Sequence, residues 1–314
     1  MAGKILITGG TGFIGKATRR FLAERAIPVR TATRNLRDNS QAGVDEIVKV
    51  GTINSKTDWA SALAGIDSVI HLAARAHVLR EDSPTPLASF RAVNTDGTLN
   101  LARQAAKAGV RRFLYVSSIG VNGSITKRRP FCETDPVNPG SPYAVSKWEA
   151  EQGLTELHEK GRIEVTVVRP PLVYGPGAPG NIERLIKLIK KGIPLPVGKV
   201  KNQRSLIGVK NLASLLVACI HDSRAAGQTF LAADGQDLST PELVRLLAQG
   251  LNHPARLWNV PVPALRIGAI MSGKIETYNS LCESLQIDAT KATKLLGWQP
   301  SHDVHVGIQK TVGQ

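Results

Sequence analysis

The octapeptide Thr8-Gly9-Gly10-Thr11-Gly12-Phe13-Ile14-Gly15 follows the apolar run Lys4–Thr8 without a break and opens a segment of helical character near 13–25. A strand that falls into glycines at 9, 12 and 15 and then into a helix is the context in which such spacing carries meaning. Gly9 can make the tight turn, Gly12 lets backbone approach a pyrophosphate, and Gly15 lets the helix pack closely on the strand. The anion then faces a helix N-terminus, whose unpaired N–H groups and partial positive charge attract it. The spacing predicts a dinucleotide-binding βαβ unit, with Gly9, Thr11, Gly12, Phe13, Ile14 and Gly15 around the phosphates.

Outward from this turn, short apolar runs alternate with longer helical segments through the first half of the chain, the rhythm of a parallel sheet with crossover helices. Strands are expected at Lys4–Thr8, Pro28–Thr33, Ile47–Val50, Ser68–Leu72, Arg112–Ser117 and Glu164–Arg169. Most are rich in Val, Ile and Leu, as strands covered on both faces should be. Helices are expected near 13–25, 57–64, 86–108 and 142–160. After Arg169 the texture changes: Pro170-Pro171, Gly175-Pro176-Gly177 and Pro179-Gly180 crowd turn residues together, as where a chain leaves its first domain. Beyond lie expected helices around 181–191, 210–221, 240–250 and 288–296, and apolar stretches near 205–209 and 228–232. The expected fold class is α/β: a Rossmann-like doubly wound parallel sheet with helices on both faces, plus a smaller C-terminal substrate-binding lobe. The dinucleotide-binding domain is expected over 1–170, with returning segments near 205–232, and the lobe over 171–204 and 233–314.

Composition narrows the class further. With 314 residues and 42% apolar content, one large domain with an appended lobe is expected. No uncharged apolar run reaches the roughly 18–20 residues that cross a bilayer, and the opening MAGKILITGG lacks a signal-peptide cleavage site. Cys132, Cys219 and Cys282 are odd in number and widely spaced, so neither a disulfide framework nor a four-ligand zinc site is expected. A soluble, cytoplasmic protein without a metal follows. The net charge of +15 favours anionic partners. It leaves open a solvated basic surface or attraction to an acidic membrane. Basic clusters are brief, at Lys127-Arg128-Arg129 and Lys187/Lys190/Lys191, and aromatics at 4% are too few for base-stacking platforms, so no specific nucleic acid is expected.

The second expected strand ends Val29-Arg30-Thr31-Ala32-Thr33-Arg34-Asn35, with no carboxylate to accept a ribose 2′-hydroxyl. Arg34, assisted by Arg37, could instead pair with a 2′-phosphate. NADP(H) is favoured on this ground, with NAD(H) as the alternative. Further on, Ser141-Pro142-Tyr143-Ala144-Val145-Ser146-Lys147 puts Tyr143 and Lys147 on one face of a helix that Ser141 or Pro142 begins. An ammonium about 4 Å from a phenol, at an effective dielectric near 20, is worth about 4 kcal/mol and would draw the phenol pKa from about 10 toward neutrality. Upstream, the run Phe113–Val116 ends in Ser117-Ser118 at the carboxyl end of a strand, where open parallel sheets bind ligands. Ser118 would orient a carbonyl oxygen, Tyr143 would exchange its proton, and Lys147 would tune the phenol and hold the nicotinamide ribose.

These residues together resemble the extended short-chain dehydrogenase/reductase family of sugar-nucleotide epimerases, dehydratases and reductases. The likeness includes the TGGTGFIG turn, His71-Leu72-Ala73-Ala74, Asn94-Thr95-Asp96-Gly97-Thr98 and the Ser–Tyr–Lys set. Arg169-Pro170-Pro171-Leu172-Val173-Tyr174-Gly175-Pro176 is similar to the family's RxxNVYGP segment, and Leu295-Leu296-Gly297-Trp298-Gln299-Pro300 to its LGWxP ending. The resemblance implies that Leu72, Ala73, Ala74, Ile53 and Pro170 line the cofactor, that Asn94 braces the active-site strand beside it, and that Arg204 meets the substrate diphosphate. It also implies a homodimer built on the helix pair that carries Tyr143. Two departures bear on the ligands: Gly51-Thr52-Ile53 stands where many members carry Asp for the adenine amino group, and Leu172 replaces an asparagine used against the substrate.

Within the family, a 4,6-dehydratase carries an Asp-Glu pair after the serine, whereas this chain has Ile119-Gly120. The leading expectation is NADPH-dependent reduction of the C4 ketone of a UDP-4-keto-6-deoxy-N-acetylhexosamine for surface polysaccharide synthesis. UDP-sugar 4-epimerisation with tightly bound NAD is the first alternative, and steroid or lipid alcohol oxidation the second.

Overall fold

A computed structural model of the chain describes residues 3–34, 45–76 and 85–312. The first half runs β1 (Ile5–Thr8), α1 (Phe13–Ala23), β2 (Val29–Thr33), β3 (Asp45–Lys49), α2 (Ala60–Leu63) and β4 (Ser68–His71). It continues with α3 (Pro86–Arg91), a π-helical turn (Ala92–Gly97), α4 (Thr98–Lys107), β5 (Arg112–Val116), α5 (Pro142–Glu159) and β6 (Glu164–Arg169). The second half holds β7 (Leu172–Tyr174), α6 (Asn181–Lys190), β8 (Leu206–Gly208), α7 (Val209–His221) and β9 (Thr229–Leu231). It closes with α8 (Thr240–Gly250), α9 (Val262–Met271), α10 (Ile275–Cys282), α11 (Thr290–Leu296) and α12 (Val304–Lys310).

Seven strands form one Rossmann-like parallel sheet in the order β3-β2-β1-β4-β5-β6-β9; β7 and β8 pair separately, also in parallel. Successive β1 side chains alternate across the sheet. Ile5 and Ile7 enter a core beneath α1 and α7, and Leu6 enters the opposite core with Trp59, Phe113 and Leu154. A third core, around Ile182, Leu247 and Ile308, belongs to the C-terminal half. The expected strands appear with ends shifted by one or two residues. The expected helix over 86–108 instead breaks into α3, the π turn and α4, because Asn94 is drawn aside by hydrogen bonds to Arg75 and Ser146. Residues 290–298, expected with the lobe, pack on the first core, where Trp298 Nε1 donates to Ser214 Oγ at 2.9 Å.

One buried ion pair fixes α5 to the sheet. Arg169, at the end of β6, donates from Nε to Glu151 Oε1 at 3.0 Å and from Nη1 to Asn122 Oδ1 at 2.8 Å. Both members of the pair are buried. Removing one partner of such a pair strands the other charge away from water. Glu151→Ala should therefore lower stability by about 3–5 kcal/mol, read as a fall in urea midpoint at unchanged slope. A midpoint within experimental error of the parent would show that water reaches Arg169.

Candidate active site

The sheet order runs outward in both directions from β1 and β4, so the crossovers diverge there and leave a crevice at the carboxyl ends. Gly9 turns with φ +68°, and a Cβ there would lie 2.7 Å from the Ala73 nitrogen. A Cβ at Gly15 would lie 2.2 Å from the Gly9 carbonyl, so α1 and the turn touch backbone to backbone. Gly12 caps α1 with no side-chain hydrogen bond, and a Cβ there would meet only the Gly9 carbonyl within 4 Å. Bare N–H groups over open space, with no acidic residue in the first turn of α1, suit a pyrophosphate. Thr11, Phe13 and Ile14 flank this turn and are half-buried, Phe13 and Ile14 packing against the C-terminal and first cores respectively.

Leu72, Ala73 and Ala74 leave β4 beside Gly9, with Leu72 N donating to Thr8 O at 3.2 Å and Ala73 N to Thr8 Oγ1 at 3.3 Å. Beneath them His71 is fully buried between two hydroxyls, Nδ1 2.6 Å from Thr8 Oγ1 and Nε2 2.9 Å from Thr98 Oγ1. Burial, helped by the Lys147 charge, pushes its pKa down to about 3, so the ring is neutral. Ile53 packs on Gly97 at the π turn. Asn94 is buried, its amide nitrogen donating to Arg75 O and Ser146 Oγ and its oxygen accepting from Arg75 N. It ties the β4 exit to α5 and acts through them. Arg34 stands exposed just past β2. Arg37 lies outside the described residues.

On the far side of the crevice, Ser141 Oγ accepts from Ala144 N at 3.2 Å and caps α5, with Pro142 as its first residue. This starts the helix so that Tyr143 and Lys147 follow one turn apart. Tyr143 is half-buried, edge-on to Phe90 at 6.0 Å. Ser118 ends the β5 extension, its Oγ accepting from Gly120 N at 3.1 Å, and Ile119 N donates to the carbonyl of buried Pro170 at 3.0 Å. A Cβ at Gly120 would lie 3.4 Å from Ser118 Oγ and 3.5 Å from the Ala144 methyl, so the serine abuts the first turn of α5.

One expectation changes: the Tyr143 phenol is not drawn toward neutrality. Lys147 Nζ donates to Val116 O at 2.9 Å and lies 4.5 Å from the Tyr115 ring centre and 5.9 Å from that of Tyr143. Burial disfavours both charged forms and wins. It pushes the Tyr143 phenol up to about 12 and the Lys147 ammonium down to about 7, the latter opposed by Glu151. At neutral pH the phenol is protonated, and the buried amine gives up its proton more readily than an ordinary lysine. Tyr115, under Lys147 and stacked on His71 at 5.8 Å, was not signalled as more than a strand residue. Glu151 was signalled only by its place four residues beyond Lys147.

Arg204 is half-buried on the lobe side, and Nη1 donates to Glu283 O at 2.9 Å and Asn279 O at 3.5 Å. Those carbonyls close α10 and fix the guanidinium, whose remaining N–H groups have no partner among the described residues.

Comparison with known proteins places these features in company. The family model described as "NAD dependent epimerase/dehydratase family" matches residues 5–233. The chain is 40% identical to a UDP-glucose 4-epimerase of Vibrio cholerae over 99% of this chain and 95% of that one. It is 29% identical to an N-acetyl-alpha-D-glucosaminyl-diphospho-ditrans,octacis-undecaprenol 4-epimerase of Escherichia coli O157:H7, over 99% and 95%. The solved UDP-glucose 4-epimerase of Thermotoga maritima, with UDP-glucose, superposes with a TM-score of 0.78 over 98% of this chain and 97% of that one, at 24% identity.

Lys147 gives the site a measurable pH signature. Its folded pKa lies below that of an unfolded lysine, so between pH about 7 and about 10.4 the unfolded chain binds the extra proton. Stability then climbs with pH, by at most about 1.4 kcal/mol per unit. Tyr143 acts only above pH about 10, where it lowers stability. Lys147→Met should be more stable than the parent at pH 7 and should lose most of the climb, as read by urea unfolding across that range. A variant with the parent's slope would place the Lys147 ammonium in solvent.

Proposed function

This chain belongs to the NAD dependent epimerase/dehydratase family, and from that premise we propose that it interconverts UDP-hexoses epimeric at C4. The likeness to the Vibrio cholerae UDP-glucose 4-epimerase along nearly the whole chain carries this reading. The Escherichia coli relative, a 4-epimerase on a different carrier, supports the position of attack on the ring.

In this reading the Gly9–Gly12 turn and the first turn of α1 hold the dinucleotide pyrophosphate, and Leu72, Ala73, Ala74, Ile53 and Pro170 close around it. NAD, when bound, supplies the acceptor and then the donor of a hydride at C4. Tyr143, once its own proton has left toward solvent, takes as phenolate the proton of the 4-hydroxyl as the alcohol becomes a ketone, and gives that proton back as the ketone becomes an alcohol. The phenolate it passes through is the costly form at this buried position, and the Lys147 charge above the Tyr115 ring offsets that cost. Ser118 hydrogen-bonds the C4 oxygen throughout. Inversion requires the ketone to present its other face before hydride returns, so the sugar must turn while its diphosphate stays anchored. Arg204 is our candidate anchor, preset by the carbonyls that end α10.

One observation favours a second reading, NADPH-dependent reduction of a UDP-4-keto-6-deoxy-N-acetylhexosamine. Arg34, exposed where β2 ends without a carboxylate, suits a ribose 2′-phosphate. The two readings differ in cofactor balance. With UDP-galactose and NAD, interconversion with UDP-glucose without net cofactor change is expected, followed by product NMR. Stoichiometric NADPH loss on the 4-keto sugar, with no UDP-hexose interconversion, would replace epimerisation by reduction. Tyr143→Phe should cut turnover by at least about 10²-fold while cofactor affinity stays within about twofold. Arg34→Ala should weaken NADPH binding more than NADH binding; equal losses would remove the support for the second reading.

A further inference from the structure

Helix α9, with the sequence VPALRIGAIM, has no buried residue, although nine of its ten residues are uncharged and most are apolar. Its inner side, Leu265 and Ala269, lines an apolar groove of about 200 Å³ closed by Leu185 and Val197 on one side and Leu281 of α10 on the other. Its outer side carries Ile267, Ile270 and Met271, spaced i, i+3, i+4 and exposed at 59%, 60% and 84%. Trp258, exposed at 62%, lies four residues before the helix, and Ile193, exposed at 43%, lies on the segment that pairs with it at Leu195 and Leu257. An exposed apolar helix face of this kind on a charged protein marks a place of contact.

The charges around it say with what. Residues 184–221 hold eight Lys and Arg and no Asp or Glu, and residues 243–275 hold four more and again no acid. These two stretches carry most of the net +15 charge of the chain. They meet here: Arg256 Nη1 donates to Gly192 O at 3.2 Å, which holds the end of α6, with Lys190 and Lys191, against the segment that carries Trp258. Lys190, Lys191, Arg266 and Lys274 have no carboxylate partner among the described residues. Among those residues no helix is long and apolar enough to cross a membrane, and α9, at ten residues, spans about 15 Å.

We propose that α9 and Trp258 form a docking surface for an acidic phospholipid bilayer, with the helix lying in the plane of the headgroups and the flanking lysines and arginines on the lipid phosphates. An apolar face ringed by cations, with a tryptophan at its edge, is the composition that settles at such an interface. A second copy meeting this face with the same face would set cations against cations, since the two stretches hold twelve Lys and Arg and no Asp or Glu, the next acids along the chain being Glu276 and Glu283 of α10 and its cap. The surface lies outside the dinucleotide crevice, so its test stands whether or not the chain epimerises UDP-hexoses.

The test uses the full chain with vesicles of phosphatidylcholine containing about 25% phosphatidylglycerol, against vesicles of phosphatidylcholine alone, read by flotation and tryptophan fluorescence. Binding to the acidic vesicles should be at least about tenfold tighter than to neutral ones and should fall by as much at about 0.5 M salt. The Ile267→Ser, Ile270→Ser, Met271→Ser triple variant should lose at least about tenfold in binding, and so should Lys190→Glu with Lys191→Glu. Trp258→Phe should remove the blue shift, and the triple variant should keep the parent's UDP-hexose turnover. A triple variant that binds as the parent does, or a parent that ignores acidic vesicles, overturns the proposal. So does a parent oligomer that the triple variant dissolves, because a second copy would then cover the face.

Discussion

The whole arrangement depends on how closely the backbone leaving β1 approaches the backbone leaving β4. At Gly9 there is no room for a Cβ, because Ala73 already occupies the place. This contact lets two neighbouring strands send their chains to opposite faces and still share one floor, and the crevice above that floor is where a dinucleotide fits. His71 secures the floor from below. Its ring bridges Thr8 on β1 and Thr98 on α4, so the turn, the β4 exit and the helix behind the π turn are pinned through one neutral, buried imidazole. Asn94 repeats the device one layer up, linking Arg75 to α5.

That pinned floor explains why Lys147 is buried, with Tyr143 half-buried above it, and why burial dominates the protonation of both. Lys147 is held by the Val116 carbonyl and the face of Tyr115, both parts of the same β4–β5 region. The lysine is thus held by the sheet. Desolvation raises the pKa of the phenol and lowers that of the ammonium, so each is pushed toward its own neutral form and the site carries little charge. The buried Glu151–Arg169 pair below keeps the helix at this depth without neutralising Lys147 fully, since its carboxylate is already engaged.

Much of the fold was legible because its determinants are local. The glycine spacing at 9, 12 and 15, the Val/Ile/Leu strands and the Pro142-Tyr143 helix start each encode their own backbone, and the parallel order follows from their alternation. The Ser118, Tyr143 and Lys147 neighbourhood was legible for the same reason, as spacing on elements whose type was clear. What was not legible is long-range. No periodicity announces that Asn94 will find Ser146, 52 residues on, and unwind a helix into a π turn, or that Trp298 will return to Ser214. The balance between Coulomb attraction and desolvation at Lys147 could not be read either. Spacing reports that two side chains share a helix face, and only packing reports that the amine turns toward a carbonyl.

The same distinction applies to the net charge. Several arginines are internal fasteners: Arg19 to Asp45, Arg30 to Glu46, Arg112 to Glu164 and Arg169 to Glu151, each largely buried and matched by a carboxylate. These pairs cancel, so they contribute nothing to the excess. Most of the excess lies instead in the segments that build α6, α7, α8 and α9, where residues 184–221 and 243–275 hold twelve Lys and Arg and no acid, while acids such as Asp45 and Asp303 sit at a strand edge and a helix cap. A dinucleotide and a sugar diphosphate need only a few positive groups, and the crevice answers the first mainly with backbone N–H groups. Charge in excess of that, gathered beside a helix that leaves its apolar side uncovered, is a property of the outer surface of the lobe and must be explained by what that surface meets.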